Sequence, residues 1–444
     1  MASYGGRGGH RGGRNTRGGG GRNSRGGGGG RGGGAGLEGG PPPRLRPCRN
    51  FVTTGSCVNA STCGFAHVVK MHASIDASSR SSKPSHHRYN QPNTSHEPVS
   101  SVAIWETQGT IKIFSGSHDG YWRLWNTAQG TFVKEFEHRM GGKVETVDVA
   151  SNFLFVGFEG TTVKVPGVRV GMVHAWNLAV PTDPPIEFQM DPLAPYSAAG
   201  CITSFLNSGD TMVSGSHDGT IRIWAYDAAV GGGKGGFALR HTLHGHAGEV
   251  TGLAVVGGTM LWSGSTDSTI RLWDMASGEC KYLITKETPG TIPPPQQPQA
   301  QQQNPQGVGH TGPVTHLVPF ESPAGNFVIS SSLDGTVKAW NGSNGDCVAS
   351  ETHGQGVVTI ALTNDLKGNP ILLCGLEAGN IMIRSILPSP NAPALCLLFT
   401  LSAKYTAGHE GPVRALRAGP ANTFYSGGSD GKLNVWEITG DFGL

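Results

Sequence analysis

From about residue 96 the chain alternates apolar and polar positions in short runs, and the alternating unit repeats. Ser115-Gly-Ser-His-Asp119-Gly-Tyr-Trp-Arg-Leu-Trp125 returns as Ser214-Gly-Ser-His-Asp218-Gly-Thr-Ile-Arg-Ile-Trp224. It returns again as Ser263-Gly-Ser-Thr-Asp267-Ser-Thr-Ile-Arg-Leu-Trp273 and as Ser330-Ser-Ser-Leu-Asp334-Gly-Thr-Val-Lys-Ala-Trp340. The fifth clear copy is Ser426-Gly-Gly-Ser-Asp430-Gly-Lys-Leu-Asn-Val-Trp436. Alternation on both sides of an Asp-Gly-like turn predicts a β-hairpin. A further apolar run precedes each copy, as in Pro313-Val314-Thr-His-Leu-Val, and another follows, as in Lys281-Tyr-Leu-Ile. Four antiparallel strands per unit make one blade of a propeller. Two weaker copies complete the set. Val156-Gly-Phe-Glu159-Gly reaches Trp176 only after an insertion (Thr161 to Gly171), and Cys374-Gly-Leu-Glu377 continues to Ile383-Arg384 where a Trp is expected. The prediction is a mainly β, seven-bladed propeller over residues 96–444, softest in its second, third and sixth blades. Its last blade lacks an outer strand, because only eight residues follow Trp436. Residues just before Val99 are expected to supply part of it and so tie the ends together.

A period of about 45–50 residues resembles that of WD40 repeats. The Gly-His pair of that family stands at Gly245-His246, Gly309-His310 and Gly408-His409. The resemblance implies three buried networks: His246, Ser263, Asp267 and Trp273; His310, Ser330, Asp334 and Trp340; His409, Ser426, Asp430 and Trp436. A trio of Ser, His and Asp recurring in several blades is read as a satisfied structural network rather than as a nucleophilic triad.

The segment ahead of the repeats carries different chemistry. Cys48, Cys57, Cys63 and His67 follow the spacing C-x8-C-x5-C-x3-H within about 20 residues, far below the ~40 at which a domain usually folds without a metal or disulfides. Three thiolates and one imidazole form a closed tetrahedral set suited to one structural Zn2+, with no position left for substrate. The segment, taken as 44–70, resembles the CCCH zinc finger, including Phe51 three residues after the first Cys, Gly55 two before the second and Phe65 two before the His. In that family such aromatics stack on unpaired bases, so Phe51 and Phe65, with Arg49, are expected to contact nucleic acid. Arg49 is the only basic residue between Cys48 and His67. Residues 71–95 read as a flexible linker in which His72, His86 and His87 are solvated.

Composition and charge sharpen the picture at the N-terminus. The chain holds 70 Gly and 28 Pro in 444 residues, with the Gly front-loaded, so part of it is low-complexity. Residues 1–40 repeat Arg-Gly-Gly, with Arg7, Arg11, Arg17, Arg25 and Arg31 heading the triplets. Such a tail cannot bury enough apolar area to order itself. It is similar to the RGG boxes of RNA-binding proteins, whose guanidinium groups pair with phosphates and stack on bases almost without regard to sequence. The net charge of +3 therefore hides a basic head on a mildly acidic body. Cys201, Cys280, Cys347, Cys374 and Cys396 are widely spaced and read as reduced, buried thiols of an intracellular protein. The Gly-rich tract Gly231–Gly236 lengthens the third blade, and the neutral Gln/Pro tract Thr288–Gly307 reads as a flexible spacer. No run of 18 apolar residues is present to span a membrane.

Finger followed by seven blades resembles the plant family of CCCH zinc finger proteins fused to WD40 repeats. The resemblance implies single-stranded RNA, or DNA, bound through the finger, and protein partners docked on the propeller. The expected function is a non-enzymatic nucleic-acid-binding adaptor acting in the nucleus rather than the cytoplasm. Two other classes compete with it. One is a protein scaffold whose finger only folds. The other is a ubiquitin-ligase substrate receptor, disfavoured because no blade shows Trp-Asp-x-Arg at the end of its third strand.

Overall fold

A computed structural model describes residues 46–63, 65–78, 96–107, 109–127, 132–162, 165–189, 197–208, 211–230, 235–286, 309–387, 394–401 and 408–442. Residues 231–234 of the first expected spacer, the whole of the second, the Arg-Gly tail, His86 and His87 lie outside these residues, whereas Gly236 opens the outer strand of blade 3. The strands form seven four-stranded antiparallel sheets, as the periodicity predicts. In chain order, blades 1 to 6 span 99–139, 144–187, 202–243, 250–284, 314–352 and 357–401. Blade 7 takes three strands from 413–438 and its outer strand from Val69–Asp76.

That last assignment corrects the sequence reading twice. The closing strand is not the stretch before Val99, and residues 71–76 of the expected linker are ordered β-structure. Val69 pairs with Ile438 and Asp76 with Lys432, and Lys70 meets Glu437 at 2.9 Å. His72 lies in this strand with its ring edge-on to Phe132 at 6.1 Å. The segment has the composition of a linker because an outer strand is only half-buried, so Lys70, His72, Ser74 and Asp76 can all be polar within it. Beyond the strand, Ala77 N–H donates to Gly431 O, and Arg123 Nη1 of blade 1 donates to Ala77 O, both near 3 Å.

Neighbouring blades interlock through a small residue in the second strand. A Cβ at Gly116, Gly215, Gly264 or Gly427 would stand 2.7, 2.7, 2.5 or 2.7 Å from a Cγ1 of Val144, Val250, Val314 or Val99, the first apolar residue of the following blade. Real Cβ contacts are never that short, so the Gly of each Ser-Gly-x-x-Asp copy makes room for the next blade's valine. The Gly427–Val99 contact closes the circle from blade 7 to blade 1. Hydroxyls on the inner strands add a second tie: Ser100 and Thr315 donate to the Val144 and Val357 carbonyls of the next blade, at 2.7 Å each. The inner strands enclose a polar channel of about 640 Å³ that includes Asp148, Asn207, His316 and Arg417 among its lining residues.

The closing strand makes the N-terminal segment part of the ring's stability. A chain beginning at residue 96 retains every Trp-bearing hairpin but leaves Lys432–Ile438 with an open edge. It should melt well below the full chain and bind a hydrophobic dye at temperatures where the full chain does not. Equal melting temperatures would contradict the assignment.

Candidate metal centre and nucleic-acid interface

The finger is built on one short helix. Arg49–Thr54 starts at Cys48 as its N-cap residue and stops at Gly55, whose φ of 72° is the left-handed conformation that ends helices. Six residues, three of them β-branched, do not form a stable helix alone. This one is held by Val52, which is 1% exposed and belongs to the buried cluster that contains Trp436, Ile438 and Phe442 of the propeller. The two ends of the finger meet in a pair of backbone bonds, Cys48 N–H to Ala66 O at 3.0 Å and Ala66 N–H to Arg46 O at 2.7 Å.

These elements bring all four expected ligands together. One ligand atom from each of Cys48, Cys57, Cys63 and His67 lies within 4.8 Å of every other. His67 Nε2 is buried and has no hydrogen-bond partner among the described residues, an arrangement that costs free energy unless something else satisfies the lone pair. Burial pushes the Cys48 thiol up, yet the Phe51 amide and the neighbouring His67, Cys57 and Cys63 bring it down to about 7. The Asn59 amide favours the Cys57 thiolate, but burial and the adjacent Cys48 and Cys63 leave that thiol above its ordinary value. Packed thiols that compete for one negative charge, facing an orphaned imidazole nitrogen, fit a divalent cation of zinc's chemistry. Bound there, zinc would cross-link the loops and neutralise the thiolates.

The two aromatics of the finger part ways. Phe51 stacks on His67 at 4.7 Å with the planes 24° apart, so one face of its ring is already used to orient a ligand. Phe65 is 51% exposed. Arg49 is exposed at the start of the helix. Arg46, also exposed, was missed by sequence reasoning because it precedes the first Cys; the Ala66 bond sets its backbone beside the Phe65 segment. Arg7, Arg11, Arg17, Arg25 and Arg31 lie outside the described residues.

The propeller networks are present in blades 4, 5 and 7. Trp273 Nε1–H donates to Ser263 Oγ at 2.8 Å, Ser263 Oγ meets His246 Nε2 at 2.7 Å, and His246 Nδ1 meets Asp267 at 3.0 Å. Trp340, Ser330, His310 and Asp334 repeat the chain at 2.7, 2.7 and 3.2 Å, and Trp436, Ser426, His409 and Asp430 at 2.9, 2.8 and 2.9 Å. Each serine hydroxyl is fully buried between Trp and His, which makes it a strut with no approach for a substrate. Sequence reasoning missed what the other blades use instead. In blades 1 and 3 the turn aspartates pair with Arg123 and Arg222, four residues on. In blade 6 Arg384 takes the Trp position and its Nε–H donates to His353 Nε2 at 2.8 Å, while burial pushes the Cys374 thiol, in the Ser position, up to about 12. A cleft of about 170 Å³ between blades 2 and 3, lined by Phe153, Phe155, Tyr226 and Phe237, also escaped notice, because its aromatics are scattered along the chain.

Comparison with known proteins agrees with this geometry. Residues 89–126, 194–225, 237–274, 303–341 and 398–437 match the WD domain, G-beta repeat. The unmatched blades are 2 and 6, the two weak copies. The molecule is a seven-bladed propeller, five of whose blades match that repeat, carrying a Cys3His cluster. It is similar to zinc finger CCCH domain-containing protein 17 of Oryza sativa subsp. japonica, 28% identical over 405 residues that cover 90% of this chain and 75% of the relative. It is also similar to zinc finger CCCH domain-containing protein 62 of Arabidopsis thaliana, 27% identical over 175 residues, 39% of this chain and 36% of that one. The resemblance to plant CCCH zinc finger proteins with WD40 repeats thus rests on the chain at large as well as on the ligand spacing. Among solved structures, the crystal structure of the computationally designed Ika8 protein covers 77% of this chain and 96% of its own at 20% identity, with a TM-score of 0.49.

Two outcomes are expected. Full-length protein should hold one zinc per chain by elemental analysis, and Cys63→Ala should lower the content well below one; zinc-free protein at neutral pH would contradict the assignment. The second concerns acid. Burial opposes the charge on Asp267, Asp334 and Asp430, but His246, His310 and His409, with nearby hydroxyls and amides, hold all three carboxyls below their ordinary range. Carboxylates of this kind stabilise fully above the unfolded value of about 3.9 and lose that contribution as the pH falls through the folded pKa. His316 and His353 are pushed down to about 4 by burial, aided by Arg417 and Arg384 respectively. Unfolded histidine takes up its proton near 6.5, so below about that pH the unfolded chain gains protons first and stability falls. The melting temperature should therefore decline from about pH 6.5 towards 4 and more steeply below. A melting temperature that rises on acidification from 7 to 4 would contradict the burial of these groups.

Proposed function

We propose that this protein is a non-enzymatic nucleic-acid-binding adaptor: the finger contacts single-stranded RNA, and the propeller holds protein partners. One observation carries the reading. The finger turns Val52 into the propeller and leaves Phe65 half-exposed on a metal-held loop, with Arg46 and Arg49 exposed in the same small unit. A rigid aromatic that the fold does not bury, accompanied by guanidinium groups, suits a stacked base and its phosphates. The CCCH names of the two plant relatives point the same way. DNA offers the same π-faces and stands as the second ligand. A zinc ion in the finger would act structurally, keeping Phe65 and its loop in place. The propeller supplies the other half of the adaptor, since WD40 rings are protein-docking platforms and no buried serine here is placed to react.

A scaffold with a purely folding finger is favoured by the packing of Val52, and a direct measurement separates the two. Fluorescence anisotropy with a labelled single-stranded RNA should show Phe65→Ala weakening binding by a factor of about 5 to 160, the equivalent of one lost stack of ~1–3 kcal/mol, with zinc content unchanged. Phe51→Ala should weaken RNA binding and zinc retention together, because its ring supports His67. If Phe65→Ala binds RNA as tightly as the parent, the finger is a structural element and the scaffold reading takes over.

A further inference from the structure

We propose that the metal centre is also the latch of the propeller: filling the Cys48, Cys57, Cys63 and His67 site and pairing Val69–Asp76 with Lys432–Ile438 form one coupled equilibrium. The inference rests on the metal reading of that cluster and is independent of nucleic-acid contact.

The geometry leaves no slack between the two events. Only Val68 separates the ligand His67 from the first residue of the closing strand. At about 3.3 Å per residue, the start of that strand cannot drift more than a few ångströms while His67 is held. The junction is also bonded to the far end of the chain. Val68 O accepts the Thr439 N–H at 2.9 Å, and His67 O accepts the Thr439 hydroxyl at 3.2 Å, directly after the strand that Val69–Asp76 pairs with. The same C-terminal segment is fastened to blade 6, by Asp441 on Lys367 at 3.2 Å and by the Phe442 N–H on Asp365 at 3.3 Å.

Packing adds an independent link. Cys48 caps the helix that carries Val52, and Val52 lies in one buried cluster with Val69, Trp436, Ile438 and Phe442. A loop of this length, bearing three cysteines and no apolar core of its own, depends on its metal to stay folded. Released from the metal, the loop withdraws Val52 from beneath blade 7 and frees the strand to fray from its Val69 end. The edge of Lys432–Ile438 is then unpaired, and an open strand edge is a template for other chains. Reciprocity follows from linkage: whatever binds the ordered finger tightens the ring, and whatever opens the ring loosens the metal.

Hydrogen exchange of the full-length protein, read by mass spectrometry with and without a zinc chelator, tests this. With free zinc at about 100 times its dissociation constant, the latch opens on the order of 100-fold less often than in the metal-free chain. Exchange in 69–76 and 432–438 should therefore accelerate by up to that factor on chelation and recover when zinc is restored. Met260–Ser265 of blade 4 serves as the control and should change far less. A chain with six Gly/Ser residues inserted between Val68 and Val69 should still carry zinc, yet show a much smaller zinc dependence of exchange in blade 7, the remainder being what the Val52 packing transmits. Stoichiometric zinc with blade 7 exchange unaffected by its removal overturns the latch. Protein purified without zinc overturns both the latch and the metal reading, and elemental analysis of the same sample tells the two failures apart.

Discussion

A propeller is stable only if its last blade is completed by residues far from the rest of it, and here that constraint falls on Val69–Asp76. The pairing of this strand with Lys432–Ile438 spans nearly the whole chain and satisfies an edge that would otherwise stay open. Every inter-blade contact, from the Gly427–Val99 fit to the hydroxyl ties on the inner strands, presumes a closed circle. Because the strand begins two residues after His67, the element that closes the ring and the element that gathers the metal ligands are continuous. Finger and propeller therefore share one buried cluster rather than a tether.

Much of this was legible in the sequence, for identifiable reasons. Five blades announce themselves because their hairpins carry a turn Asp, a small residue in the second strand and a Trp at the end of the third. The metal ligands are legible because four soft donors at short spacing have no other economical use in so small a loop. The closing strand was illegible because its partners lie more than 350 residues away, and half-burial permits a polar sequence such as Lys70-Met-His-Ala-Ser-Ile-Asp76. Local composition says linker there, and only the unpaired edge of the last blade says otherwise. The different roles of Phe51 and Phe65 were equally hidden, since both are aromatic and close to a ligand. Only the fold shows that one stacks on His67 while the other faces outward.

The blades also show how a single buried requirement is met by different residues. A turn carboxylate beneath the surface needs a donor. Blades 4, 5 and 7 supply it with a His that is itself tied through Ser to Trp, whereas blades 1 and 3 supply it with an Arg from the third strand. Blade 6 has no turn carboxylate at that position, since Ala378 stands there, and its Arg384 is spent on His353 instead. Scaffold chemistry of this kind accounts for the recurring Ser, His and Asp without a substrate. It leaves the exposed finger, and the faces and clefts of the ring, as the parts of the molecule able to act on others.

The central claim is that finger and ring form one cooperative body. Differential scanning calorimetry of the full-length protein, with zinc bound and after chelation, tests it most directly. A single endotherm that moves as a whole to lower temperature when zinc is removed is the predicted result. An unshifted propeller endotherm, with zinc removal abolishing only a small separate transition, would contradict it.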